Sequence, residues 1–396
     1  MNKIKIGLLA RVIIAIILGI AAGFIFPDAI SRIFITFNGL FSNFLNFIVP
    51  LIILGLIAPG IADLGKNAGR LLILTSLFAY GFTIFTGFFT YLSNSFLLPK
   101  IISPSDKIPN VADVGKVLEP YFSLEMPPVI EVMSALILAF TLGLGVAFIK
   151  GQALKNGLEE FRDIINKVIN AVIIPILPIY IFGIFLNMTL AGQVGSVIVV
   201  FLKIIIVIFI LTVILLILQF TLAGYIAKKN PFKSLKVMLT AYATALGTQS
   251  SAATIPVTLK QTIKMGVNED IADFVIPLCA NIHLSGSMLK ITACAMSIMI
   301  LNGMPIEMEV FVGFIFMLAI TMVAAPGVPG GAIMAALGVL SSILGFNEEA
   351  LGLMIALYIA MDSFGTACNV TGDGSIALII NKIYKSKPEV PESNPI

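Results

Sequence analysis

Long apolar runs alternate with short polar breaks along most of this chain. A helix that crosses a bilayer needs roughly 20 predominantly apolar residues, or more when tilted. Runs of that kind occupy residues 7–26, 33–60, 70–98, 128–149, 165–190, 195–227, 270–302 and 349–381. The first has Lys3, Lys5 and Arg11 on its N-terminal side and no small-residue cleavage site before a polar domain, so a retained helix is expected rather than a signal peptide. Two other stretches, about 233–262 and 308–345, are of intermediate polarity and rich in small residues. Each holds a break: Gly247-Thr-Gln-Ser-Ser-Ala-Ala-Thr-Ile-Pro256 in one, Ala325-Pro-Gly-Val-Pro-Gly-Gly331 in the other.

Irregular backbone at membrane depth is tolerated only where protein buries it or it lines an aqueous cavity. Two such segments, each followed by a full helix, predict a repeated unit of re-entrant hairpin plus helix. Lysines flank the first hairpin and acidic residues the second, so the two open to opposite sides. That is an inverted repeat, the arrangement in which transporters bind substrate at the repeat interface.

Charge placement sets orientation, because basic residues in short loops favour the cytoplasmic side. Lys3/Lys5, Lys66/Arg70, Lys150/Lys155, Lys228/Lys229/Lys233/Lys236 and Lys382/Lys385/Lys387 fall at alternate ends of the runs. The intervening ends are uncharged (Ala191, Gly192, Gln193) or acidic (Glu307, Glu309, Glu348, Glu349). The loop of about 99–127 mixes both signs and is placed outside. The expectation is an all-α integral membrane protein of eight transmembrane helices plus two re-entrant helical hairpins. Both termini are then cytoplasmic, in a plasma (inner) membrane.

Composition narrows the function classes. Of 396 residues, 59% are hydrophobic and 11% charged, against about 25% charged in a soluble domain. That excludes a soluble enzyme, a disordered chain and, with a net charge of only +3, a nucleic-acid binder. Cys279, Cys294 and Cys368 lie in apolar or small-residue runs without CxxC spacing, which predicts neither a disulfide framework nor a zinc site.

Polar residues inside the last runs are therefore the candidates, since an intramembrane charge is costly and marks function by default. Asp362, Thr366, Asn369 and Asp373 are spaced 4, 3 and 4 apart, on one helical face. Two carboxylates, an amide and a hydroxyl there can take an ammonium group, donate to a carboxylate and coordinate a hard cation, which prefers oxygen ligands. The preceding run is interrupted by Asn281-Ile-His-Leu-Ser-Gly-Ser287 after Pro277. This predicts unwound backbone whose carbonyls are free for an ion. His283 is a coupling candidate because a free imidazole changes charge near neutral pH, and Lys290, seven residues on, shares its face. Ser250 and Ser251 sit at the first hairpin's break, where a half-helix N-terminus suits an anionic group. No nucleophile–base pair is visible, and no carboxylate stands at helical spacing to orient His283, so an intramembrane enzyme is not expected.

Together these segments resemble the dicarboxylate/amino-acid:cation symporter family, which includes archaeal aspartate transporters and excitatory amino acid transporters. Ser250-Ser-Ala-Ala-Thr-Ile-Pro256 resembles that family's first hairpin tip, Gly327-Val-Pro-Gly330 its second, and Asp362 through Asn369-Val-Thr-Gly-Asp373 its final helix. The resemblance implies a homotrimer with an elevator mechanism and an amino-acid substrate coupled to Na+, with H+ as the alternative. It divides the chain into scaffold helices 1–3 with the outer loop (1–127), helices 4–6 (128–232), a transport core (233–385) and a disordered tail (386–396). By position it implies that Asp362 takes the substrate's amino group, while Asn369, Thr366 and the backbone around Ser250 and Ser251 take its carboxylate. Val328, Pro329 and Gly330 then close over the substrate. Asp373 would hold sodium with Asn369 and with carbonyls near His283 and Ala280.

Departures from the family pattern matter as much. Acidic-substrate members carry an arginine where this chain has Gly365. A buried second carboxylate would be left unpaired, so a small neutral amino acid is expected, with room at Gly365 for a bulkier side chain. A cation-ligating aspartate is replaced by Ser285, and the third helix presents Phe78 and Ala79 where hydroxyls are usual, with Thr75 and Ser76 one turn away. Fewer sodium sites are expected, or charge supplied by His283 and Lys290. The alternatives are a dicarboxylate or acidic amino acid symporter using Lys290 as its anion clamp and, more remotely, a passive channel.

Overall fold

The computed structural model describes residues 7–65, 70–102, 118–149, 151–323, 325 and 330–385. It is built of helices, and there is no strand among the described residues. In chain order they are α1 (Leu8–Ile25), α2 (Asp28–Gly65), α3 (Arg70–Ile101), α4 (Val132–Phe148), α5 (Ala153–Val168), which runs through a π-turn into α6 (Ile174–Leu190), and α7 (Val194–Ala227). Then follow α8 (Pro231–Thr248), α9 (Ser251–Lys264), α10 (Glu269–Ile282), α11 (Ser285–Leu301), α12 (Met308–Val323), α13 (Gly331–Leu344), α14 (Glu348–Ala360) and α15 (Asp362–Lys385).

Six of the described helices or helix pairs are long and apolar enough to cross a bilayer, or seven if the bent α14–α15 pair is one span. The fourth apolar run of the sequence folds as α4, a shorter helix of 17 residues. Large apolar side chains such as Ile17 and Phe24 on α1, Phe96 on α3 and Leu202 and Ile206 on α7 are exposed. Contiguous apolar surface of this kind suits lipid and not water. The protein is an integral membrane protein.

Both hairpins form where the polar breaks lie. α8 ends at Gln249, whose left-handed φ of 54° turns the chain, and Ser250 caps α9 by accepting from the Ala253 N–H (3.3 Å). Lys229 ties the open end shut by donating to the carbonyls of Met265 and Gly266. α12 and α13 pack as the second hairpin. Val328 and Pro329 lie outside the described residues, while Gly330 enters α13 with φ of 76°, a conformation that favours glycine.

Packing separates two groups of helices. α1, α2, α4, α5 and α6 pack on one another, whereas α7–α11 and α15 form a second body around α15. α3 packs on α10, α11, α12 and α15. α11 sits at the centre, buried along nearly its whole length, so a polar side chain on it must find its partners within the protein.

Candidate functional site

Two broken helices cross here and give the site its shape. α10 ends at Ile282 and α11 starts at Ser285, so the carbonyls of α10's last turn lose the N–H groups that would follow in a continuous helix. Ala280 is buried in that turn. Pro277 weakens the α10 ladder further by lacking an N–H, and the Asn281 side chain donates to its carbonyl (2.8 Å). The final apolar run is broken too, between α14 and α15, with a bend of 62° at Met361. The sequence analysis treated that run as one helix. The bend makes Asp362 the first residue of α15, where the helix N-terminus favours a carboxylate.

The first cluster gathers around Asp362, which is 5% exposed. Its Oδ1 accepts from the Lys290 Nζ (3.0 Å) and its Oδ2 from the Gly330 N–H (2.9 Å). One carboxylate thus joins α11, the second hairpin's tip and α15. The Lys290 ammonium also lies 3.7 Å from the centre of the Tyr358 ring, a favourable cation–π distance. Tyr358 Oη bonds Ser287 Oγ (3.0 Å), and Asn369 Nδ2 donates to the same Ser287 oxygen (3.4 Å). Asn369 Oδ1 accepts from the Gly286 N–H at 2.7 Å, which satisfies a free amide at the start of α11. Thr366 is buried between Asp362 and Asn369 on the same face.

Gly365 corrects one expectation. A Cβ built there would overlap Cε and Nζ of Lys290 and lie 2.9 Å from its Cδ. The space expected to admit a bulkier substrate is filled by the lysine side chain. Gly286 is constrained more severely, because a Cβ there would strike the Gly365 carbonyl oxygen and lie 2.7 Å from Cys368 Cβ. Backbone cannot step aside as a side-chain tip can. Gly286→Ala is therefore expected to destabilise the fold by about 1–3 kcal/mol, read as a lower thermal unfolding midpoint of the solubilised protein. An unchanged midpoint would show that α11 and α15 can separate without cost.

The second cluster lies about three turns further along α15, at Asp373. Asp373 Oδ1 bonds His283 Nδ1 (2.8 Å), His283 Nε2 bonds Ser285 Oγ (2.6 Å), and Gln219 Nε2 of α7 donates to that hydroxyl (3.3 Å). With a neutral imidazole the donors run one way, from the Gln219 amide through the Ser285 hydroxyl and the His283 ring to the Asp373 carboxylate. His283, Ser285 and Asp373 are almost wholly buried. Gly372 makes room for them: a Cβ there would lie 2.6 Å from His283 Cε1 and 2.8 Å from Gln219 Oε1. Buried polar atoms are nearly always hydrogen-bonded, yet Asp373 Oδ2 and Gln219 Oε1 have no partner among the described residues. Two unpartnered oxygens on members of this network suit a hard cation or water.

Other expected residues take simpler roles. Ser250 is spent on capping α9, and Ser251, the first residue of α9, is buried. Thr75 donates to the Leu71 carbonyl (2.8 Å). The third helix presents an aromatic ring to His283: Phe82 lies 6.2 Å away, centre to centre. Three features escaped the sequence reading. Asp373 does orient His283, from 90 residues away in the chain. Tyr358 looked like one more apolar residue of its run. Gln219 had left a signal, an amide in the otherwise strongly apolar α7.

A cavity of about 150 Å³ lies apart from both clusters, between α2, α6 and the start of α14. There Tyr180 Oη donates to the Glu348 carbonyl (3.3 Å) and Asn46 Nδ2 to the Glu348 carboxylate (3.3 Å).

Comparison with known proteins places the chain in a family. A family model described as the sodium:dicarboxylate symporter family matches residues 8–383. The chain is similar to a serine/threonine transporter, SstT, of Acinetobacter baylyi, at 27% identity over 97% of this chain and 99% of that protein. It is also similar to the serine/threonine transporter SstT of Acinetobacter baumannii strain AYE, at 25% identity over 93% of this chain and 95% of that protein.

Proposed function

The chain belongs to the sodium:dicarboxylate symporter family, and we propose that it couples the uptake of a small neutral amino acid to the entry of a cation. Its family and relatives are transporters and not enzymes. The observation that carries the substrate reading is the Lys290 side chain lying over Gly365 and paired with Asp362. A second carboxylate on the substrate would need space beside Asp362 as well as a cation, and the Lys290 side chain fills the space at Gly365. The filled space at Gly365 favours a short side chain, as does the serine/threonine named for the relatives.

In this reading Asp362 receives the substrate's ammonium group. Asn369 has a second amide hydrogen to offer the substrate carboxylate, together with Thr366 and the amides around Ser251. Gly330, already bonded to Asp362, belongs to a gate that closes over the substrate. The coupling cation sits at Asp373 Oδ2, with carbonyls of the α10 break and of Asn369. Sodium is the expected ion. Ser285 in place of an aspartate, and Phe78 and Ala79 where the family's third helix has hydroxyls, support fewer sodium sites than the family pattern. The His283–Ser285–Gln219 chain supports the proton alternative.

The two packed groups of helices support an elevator. α1, α2, α4, α5 and α6 would form the fixed scaffold of a homotrimer with eight spans and cytoplasmic termini. α7 to α15 would travel, and α3 with them, because its neighbours are α10, α11, α12 and α15. Glu348, at the outward end of α14, bonds Asn46 and Tyr180 midway along α2 and α6. That depth suits an inward-facing position of the moving part.

The test is uptake into proteoliposomes of labelled serine, threonine, aspartate and succinate under inward sodium or proton gradients. Sodium-driven accumulation of serine or threonine alone is expected. Accumulation of aspartate or succinate instead would overturn the neutral-substrate reading, and a proton-only drive would move coupling to His283. Passive equilibration without counterflow would indicate a channel.

A further inference from the structure

Both oxygens of the Asp362 carboxylate are engaged by groups of the protein itself, one by Lys290 Nζ and one by the Gly330 N–H. Lys290 is 1% exposed and sits on α11, within the body that would carry the site across the bilayer. We propose that the Lys290 ammonium is a built-in counter-ion of the substrate site. It occupies the place on Asp362 that the substrate's ammonium takes, and so lets the empty carrier return across the membrane with its carboxylate neutralised. This inference rests on the substrate reading given above.

A lone carboxylate carried through the hydrocarbon core is expensive, as is any unpaired buried charge. An empty carrier with a bare Asp362 would be held at either face, and only substrate exchange would remain. A lysine four carbons long, anchored one helix away, supplies the missing charge without an ion from solution. Three local features fit that role. Gly365 carries no Cβ, and any would lie on the path of the lysine chain. The Tyr358 ring, 3.7 Å from the ammonium, gives it a second seat when a substrate claims the Asp362 oxygen. The Gly330 contact ties the entry of α13 to the neutralised pair.

The experiment compares wild type with Lys290→Met in proteoliposomes, using labelled serine. Exchange is measured with vesicles preloaded with unlabelled serine, and net uptake with vesicles that contain none. Lys290→Met should lose less exchange than net uptake and show a lower half-saturating serine concentration, because the tethered competitor is gone. Its net uptake should fall at least about tenfold, roughly the effect of a 1.4 kcal/mol barrier. Ethylammonium trapped inside the vesicles should restore part of that loss. Lys290→Arg, which keeps the charge, should keep the wild-type ratio of net uptake to exchange.

Equal loss of both activities in Lys290→Met, or no loss in either, would overturn the proposal. A fall of about tenfold or more in the ratio of net uptake to exchange in Lys290→Arg would do the same, and this test stands should the Met variant fail to fold. Absence of serine exchange in the wild type, with aspartate exchange present, would instead overturn the neutral-substrate reading on which the proposal rests.

Discussion

Asp362→Asn is expected to lower serine uptake by on the order of 100-fold or more, in exchange as well as in net transport. The substitution keeps the size of the side chain and an oxygen for the Gly330 N–H, now 2.9 Å from Oδ2, but removes the charge. Truncating one partner of a buried charge pair costs about 2–5 kcal/mol, and each 1.4 kcal/mol is about tenfold in binding. Two losses add here, because Lys290 is left buried without its carboxylate and the substrate's ammonium group without an acceptor. Initial rates with labelled serine, normalised to the amount of reconstituted protein, are the measurement. Exchange within about threefold of wild type would mean that the substrate is not held through Asp362. The contrast with Lys290→Met, where exchange persists, separates the residue that holds the substrate from the residue that stands in for it.

His283→Ala is expected to have the largest effect on stability. Asp373 Oδ1 has its hydrogen bond from His283 at 2.8 Å, and Oδ2 has none. Without the imidazole, neither oxygen of a 1%-exposed carboxylate has a hydrogen-bond partner among the described residues, and Ser285 loses one of its two bonds. Removing one member of a buried pair typically costs about 3–5 kcal/mol. Thermal unfolding of the solubilised protein reads this as a lower midpoint. Sodium should raise the variant's midpoint more steeply than that of wild type, because a ligand that binds only the folded protein stabilises it by mass action. A sodium-independent midpoint in both proteins would remove the ion from Asp373 while leaving the structural pair intact. His283→Leu combined with Asp373→Leu should be less destabilised than His283→Ala, since no charge is then left without a partner.

The reading at Gly365 shows how one residue can be understood correctly in one respect and wrongly in another. A missing arginine is visible in a sequence, and so is the unpaired charge that an acidic substrate would then meet. What fills the vacated space is not. Lys290 is 75 positions earlier, on another helix, and its side chain reaches Gly365 only because α11 and α15 cross at two glycines, Gly286 and Gly365. The same crossing brings Asn369 to the Gly286 N–H (2.7 Å), so the amide expected to serve the substrate alone also caps the start of α11.

The sequence by itself determined the class of the protein, the apolar helices, the positions of both hairpins and the break before α11. Each of these follows from local composition: unbroken apolar runs can form spans, and Gly, Pro and Ser interrupt them wherever they cluster. It also placed Asp362, Thr366, Asn369 and Asp373 on one face, since helical spacing is a local property. Only the tertiary structure decided which partner each of those side chains has. Pairing Asp373 with His283 and Asp362 with Lys290 joins residues 90 and 72 positions apart. The bend at Met361 was equally out of reach, because no proline or turn motif marks it and packing against neighbouring helices sets the 62° change of direction. Hydrophobic periodicity records whether a position is buried; how buried charges are matched depends on which helices cross, and at what height.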